Sequence, residues 1–157
     1  MIKAVLIINI NGKPRFLRFY DGTSHERQQI IAKKIHETIN KNANRDCSCF
    51  IEDEELLKSD TKIVYRHFAT LFFIFIIDSM ESELSILDLI QVFVHALDVN
   101  FENVCELDLI YNYEQINHIL DEIIMGGIVL ETNIDAIINS INGSKKIIEN
   151  ESSFFGN

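Results

Sequence analysis

Positive charge is scarce in this sequence. Its 14 Lys and Arg stand against 24 Asp and Glu, a formal net charge of −10. A nucleic-acid surface needs a basic face to neutralise phosphates, so that partner class is excluded. Anionic lipid would repel the chain for the same reason, which argues against direct adhesion to such a membrane. Cysteine is scarce too. Three in a chain of 157 residues do not make a disulfide scaffold, and they fit a reducing, cytosolic setting. Cys47-Ser48-Cys49 lacks the second pair that a zinc site needs. Cys105 stands among apolar residues and is expected to be a buried core thiol.

Long apolar runs are missing. The longest spans residues 71–77, far short of the ~20 residues that cross a bilayer. Met1-Ile2-Lys3 leads into a short apolar run with no cleavage-like site, and is expected to open a first strand rather than a signal peptide. Ile2 stands where myristoylation needs Gly.

Catalytic signatures are also absent. Gly143-Ser144-Lys145 lacks the upstream glycine and strand of a phosphate loop. His25, His36, His67, His95 and His118 show no metal-ligand spacing. The run Glu52-Asp53-Glu54-Glu55 reads as a solvated loop rather than an acid–base pair. Glu52 with Leu56-Leu57 matches an acidic dileucine pattern, and is taken as a chance match beside a strand. The expectation is a non-enzyme without metal or cofactor.

What remains is a core. Apolar residues make up 47% of the chain, enough for a single domain over residues 1–148 with a frayed tail over 149–157. Residues 2–10 are a β-rich run. Asn11-Gly12 is a hairpin turn, since both residues tolerate positive φ, and residues 14–20 return as a partner strand with Pro14 at its first position. Thr23 to Glu26 fits a capping box with Thr23 as N-cap, and Ile31, Ile35 and Ile39 predict a helix over 24–42. Cys49-Phe50-Ile51 is a short strand candidate. Residues 62–67 and 70–78 predict two strands. The second is apolar at every position from 71 to 77, so it is central and covered on both faces. A short segment runs to 109, a helix covers 113–124 and ends at Gly126-Gly127, and a last helix covers 133–148.

The segment from Ser82 to Leu109 is the most informative. Read as a helix, it carries one apolar stripe of Leu84, Leu87, Ile90, Val94 and Leu97, and a second of Ile86, Leu89, Phe93 and Ala96. A surface helix has one apolar face and one wet one. A helix apolar on nearly every side must be covered twice, and the second cover is expected from another protein chain.

The run DSMESELSILDLIQVFVHALDVNFENVCELDLI at 78–110 resembles the sigma, or small, subunits of clathrin-adaptor complexes. FENVCELDLI at 101–110 and MGGIVLETN at 125–133 are most similar to the sigma subunit of the third adaptor complex. IKAVLIINING-KPRFLRFY near the start and KIVYRHFATLFFIFIID at 62–78 fit the same family. The resemblance covers residues 1–141, and residues 47–60 fit it poorly. It implies an α/β (α+β) longin-like fold: a five-stranded, mainly antiparallel sheet with helices on both faces and additional C-terminal helices.

The same resemblance implies a non-catalytic role. The partners would be an adaptor large subunit held directly, a medium subunit and a second large subunit in a heterotetramer. The place would be the cytosolic face of Golgi, endosomal and vesicle membranes, in traffic toward lysosome-like organelles, with membrane attachment left to the assembly. The family receives acidic dileucine signals from cargo tails. Carried over residue by residue, its apolar pocket falls on Ala69, Leu71, Val94, Val104, Leu107 and Leu109, with Asn103 at the edge and Arg15 facing the acid of the signal. Taken without the resemblance, the apolar positions read as plain core packing. The alternative function is a longin-type regulatory module of a tethering or membrane-fusion complex.

Overall fold

The computed structural model describes residues 1–42, 50–51 and 60–155. Cys47, Cys49, the acidic run from Glu52 and the Leu56-Leu57 pair lie outside them. Five strands form one antiparallel sheet: β1 (Ile2–Asn9), β2 (Pro14–Phe19), β3 (Phe50–Ile51), β4 (Thr61–Phe68) and β5 (Leu71–Asp78). Their order is β2-β1-β5-β4-β3, which puts β5 at the centre.

The burial of β5 dictates the layers. Leu71 through Ile77 are all buried, and successive side chains point to opposite faces. Leu71, Phe73, Phe75 and Ile77 join one apolar cluster; Phe72, Ile74 and Ile76 join another on the far side. β1 alternates in step: Val5 and Ile7 face the first cluster, and Ala4, Leu6 and Ile8 the second. Helix α1 (His25–Asn42) closes the second cluster with Ile31, Ala32, Ile35 and Ile39. Helix α2 (Glu83–Phe101), capped by Ser82, closes the first with Ile86, Leu89, Ile90 and Phe93. Each fully buried large side chain contributes about 1.5–3 kcal/mol, so Phe73, Phe75 and Phe93 anchor this layer.

Cover on the second side of α2 comes in part from the chain itself. Helices α4 (Tyr113–Ile123) and α5 (Ile134–Phe155) pack on it. Of the outer stripe, Ile90, Val94 and Leu97 are buried by the chain itself; Leu84 is exposed and Leu87 half-buried. α2 is long and apolar enough, by length and composition, to cross a membrane. Its buried residues, Ile86, Leu89, Ile90, Phe93, Val94, Ala96 and Leu97, pack within the chain.

Three local expectations need correction. Thr23 is not the N-cap of α1. Its N–H and hydroxyl both bond the Asp21 carboxylate, which removes the hydroxyl from capping, and the helix begins two residues later at His25. Gly126-Gly127 does not simply end a helix. It forms the turn of a small hairpin of β6 (Ile124–Met125) and β7 (Ile128–Val129), with φ of +58° and +87°. α5 does not stop at residue 148 but continues to Phe155. Its start does follow the sequence: the Asn133 side chain accepts from the N–H groups of Asp135 and Ala136.

The hairpin explains why Gly127 must be glycine. Its carbonyl accepts from Ile2 N at 2.8 Å, and a Cβ there would stand 2.3 Å from the Ile2 carbonyl oxygen. A Cβ on Gly126 would meet nothing within 4 Å. Gly127→Ala should therefore cost more than Gly126→Ala, by about 1–3 kcal/mol. Urea unfolding of the two variants reads the difference; equal midpoints would contradict the close approach.

Candidate functional site

The singled-out residues come from β2, the β4–β5 turn, α2 and helix α3 (Glu106–Tyr111), and they flank one corner: β2 packs on α3, and Asn9, bonded to Glu106 of α3, pairs with Leu71 just after the β4–β5 turn. α2 ends at Glu102, which has φ +51°, and Asn103 follows at φ +72°. Asp98 fixes this turn. Its carbonyl accepts from Glu102 and Asn103, and its carboxylate from Val104 N at 3.1 Å. The chain then reaches Cys105, the N-cap of α3, whose N–H donates to the Asp108 carboxylate at 2.9 Å. That capping position leaves Cys105 exposed, not buried as its apolar neighbours led one to expect.

Leu71, Val94 and Leu109 lie in one apolar cluster, 4%, 8% and 0% exposed, and Val104 packs against it half-buried. Leu107 is 60% exposed on α3, and Asn103 is exposed in the turn. Ala69 is exposed at the β4–β5 turn with φ +52°. By exposure the apolar residues sort into a buried set, the floor, of Leu71, Val94 and Leu109 and an accessible set, the rim, of Ala69, Val104 and Leu107.

Arg15 comes to the same corner from β2. Its Nε donates to Glu106 Oε1 at 2.5 Å, at the first position of α3. Asn9 Nδ2 donates to the same oxygen at 2.8 Å. Asn9 is the buried polar residue at the end of β1, 4% exposed, and its Oδ1 accepts from Asn11 N and Lys13 N in the hairpin turn. One side chain therefore fixes the β1–β2 turn and anchors Glu106. Tyr113 adds a second tie: its hydroxyl donates to the Leu17 carbonyl at 2.6 Å, and its ring packs on Phe16. Neither Asn9 nor Glu106 stood out in the sequence. The available signal was a polar residue closing an apolar strand directly before a turn.

A separate groove of about 600 Å³ runs between α4 and α5, lined by Tyr111, His118, Ile119, Ile141 and Lys145 among others. It includes none of the residues assigned to the cargo pocket.

The profile of the clathrin adaptor complex small chain family matches residues 1–147. The chain belongs to that family. It is 51% identical to the AP-3 complex subunit sigma of Dictyostelium discoideum over 150 residues, covering 94% of this chain and 87% of that one. It is 48% identical to the human AP-3 complex subunit sigma-2 over 152 residues, covering 96% and 78%. In structure it is similar to a chain from a homology model of the full-length AP-3 complex in a stretched open conformation. That match has a TM-score of 0.74 and 38% identity, and covers 98% of each chain. The longin-like fold with a five-stranded sheet is that of this small-chain family.

The hydrogen bond from Asn9, then that from Arg15, holds the Glu106 carboxyl below the usual glutamate range. A lowered value means that the carboxylate contributes stability above the ordinary value near ~4.3. That contribution is lost as pH falls through the lowered one. In an NMR titration Glu106 should titrate below ordinary glutamates. Asn9→Ala and Arg15→Ala should each raise it, Asn9→Ala by losing a hydrogen bond and Arg15→Ala by losing a hydrogen bond and a positive charge. An unchanged Glu106 in Asn9→Ala would contradict the anchoring role.

Proposed function

We propose that this chain is the non-catalytic small subunit of an AP-3-type heterotetrameric adaptor, and that it helps select cargo tails carrying acidic dileucine signals for transport from Golgi and endosomes toward lysosome-like organelles. The observation that carries the reading is the corner itself. An accessible apolar rim over a buried apolar floor stands beside a cation, Arg15, in a chain whose overall charge is negative. Two leucines need apolar cover, worth about 1.5–3 kcal/mol each when fully buried, and the acid of the signal needs a positive partner. The near full-length likeness to AP-3 sigma subunits supports the assembly part of the reading. Membrane attachment then belongs to the assembly, in keeping with the acidic charge of this chain.

The rim offers a cleaner test than the floor. Val94 is nearly buried, so an acid there would disturb packing first; Val104 is half-buried in a turn. Val104→Asp should weaken binding of a dileucine peptide to the assembled complex about tenfold or more, since a charge without a partner opposes apolar docking. The complex itself should still assemble. Arg15→Ala should lose about two- to fivefold, and less at high salt. Isothermal titration with acid-bearing and acid-lacking peptides makes the measurement. Wild-type affinity in Val104→Asp would overturn the placement of the site.

A further inference from the structure

We propose that Glu106 sets how much weight this corner gives to the acid of a signal, because it already occupies Arg15 in an intramolecular ion pair. The inference rests on the dileucine reading above. Arg15 is not a free cation: its Nε meets Glu106 Oε1 at 2.5 Å, and the two side chains are about equally accessible, 24% and 27% exposed. The carboxylate does not float. Its Oε1 is also held by Asn9, whose other end is tied into the β1–β2 turn, so Glu106 is fixed from a buried amide.

An arriving carboxylate therefore meets a nearly neutral pair rather than a full positive charge. Beyond a few ångströms the attraction to Arg15 and the repulsion from Glu106 largely cancel. Among the described residues the terminal guanidinium nitrogens of Arg15 carry no hydrogen bond or ion pair, so they remain open to an incoming acid. Binding through them requires the acid to share Arg15 with Glu106 at close range. The site then ranks signals chiefly by their leucines, and the acid contributes less than it would opposite an unpaired Arg15. Lys13, exposed in the neighbouring turn, is the other cation that acts on Glu106. Its charge offsets part of the repulsion, and among the described residues it makes no ion pair with Glu106.

Glu106→Gln tests this directly. The amide keeps the shape and can still accept from Asn9 and Arg15, but the negative charge is gone. Two peptides are titrated into the assembled complex: an acidic dileucine peptide, and the same peptide with alanine for the acid. In Glu106→Gln the acid-bearing peptide should bind about two- to fivefold tighter at low salt. That gain should shrink at 0.5 M salt. The acid-lacking peptide should bind as it does to wild type. Combining Glu106→Gln with Arg15→Ala should abolish the gain. Glu26→Gln, an exposed charge on α1 across the sheet, should leave both peptides unchanged. An equal gain for both peptides, or no gain for either, overturns the proposal. A loss for both would make Glu106 a positioning residue for Arg15 and also overturn it. If the wild-type complex binds neither peptide, the dileucine reading itself falls, a result distinct from all of these.

Discussion

Everything in this fold follows from having to cover β5 twice. Seven consecutive apolar residues, Leu71 to Ile77, cannot face water on either side. One face takes α1 and the other takes α2. α2 is then itself apolar on two sides and needs α4 and α5 above it. The layers are a chain of obligations, each element hiding the surface its predecessor left open. The corner that carries the proposed site lies where this stacking ends. There the chain leaves α2 through a turn pinned by Asp98 and starts α3 against β2.

That corner is built from polar contacts laid over an apolar floor. Leu71, Val94 and Leu109 hold elements distant in sequence together, while Asn9, Arg15 and Glu106 fix how β2 meets α3. Each polar bond is modest when partly exposed. Their value lies in orientation. Asn9 serves the hairpin turn and Glu106 at once, so the register of β1 with β2 and the seat of α3 are set by one side chain. A ligand that meets Arg15 therefore meets a cation whose partner is already in place.

Much of the fold was legible in the sequence. Alternation and apolar runs found β1, β2, β4 and β5 to within a residue or two, and the turn lies at Asn11-Gly12 as expected, although only Gly12 takes a positive φ. Helical spacing found α1, α2, α4 and the start of α5. What failed was mostly competition between local partners. Asp21 took the Thr23 hydroxyl, and Gly126-Gly127 turned a hairpin because Ile124 and Met125 pair with Val129 and Ile128 directly beyond them. That α4 and α5 share in covering α2 was not legible, because periodicity shows that a face is apolar but not which element reaches it. For the site, the residue list came from family likeness, not pattern. The Arg15–Glu106 pair spans 91 positions, and no local pattern reveals a contact at that separation.

The central claim is that the two leucines of a signal dock on the rim of Ala69, Val104 and Leu107. Photo-crosslinking tests it most directly. A dileucine peptide with photoreactive leucines is irradiated on the assembled complex, and the adducts are mapped by mass spectrometry. Adducts on residues 69, 104 and 107 are the predicted result. Adducts confined to the α4–α5 groove around Tyr111, His118 and Ile141, or to other subunits alone, would contradict it.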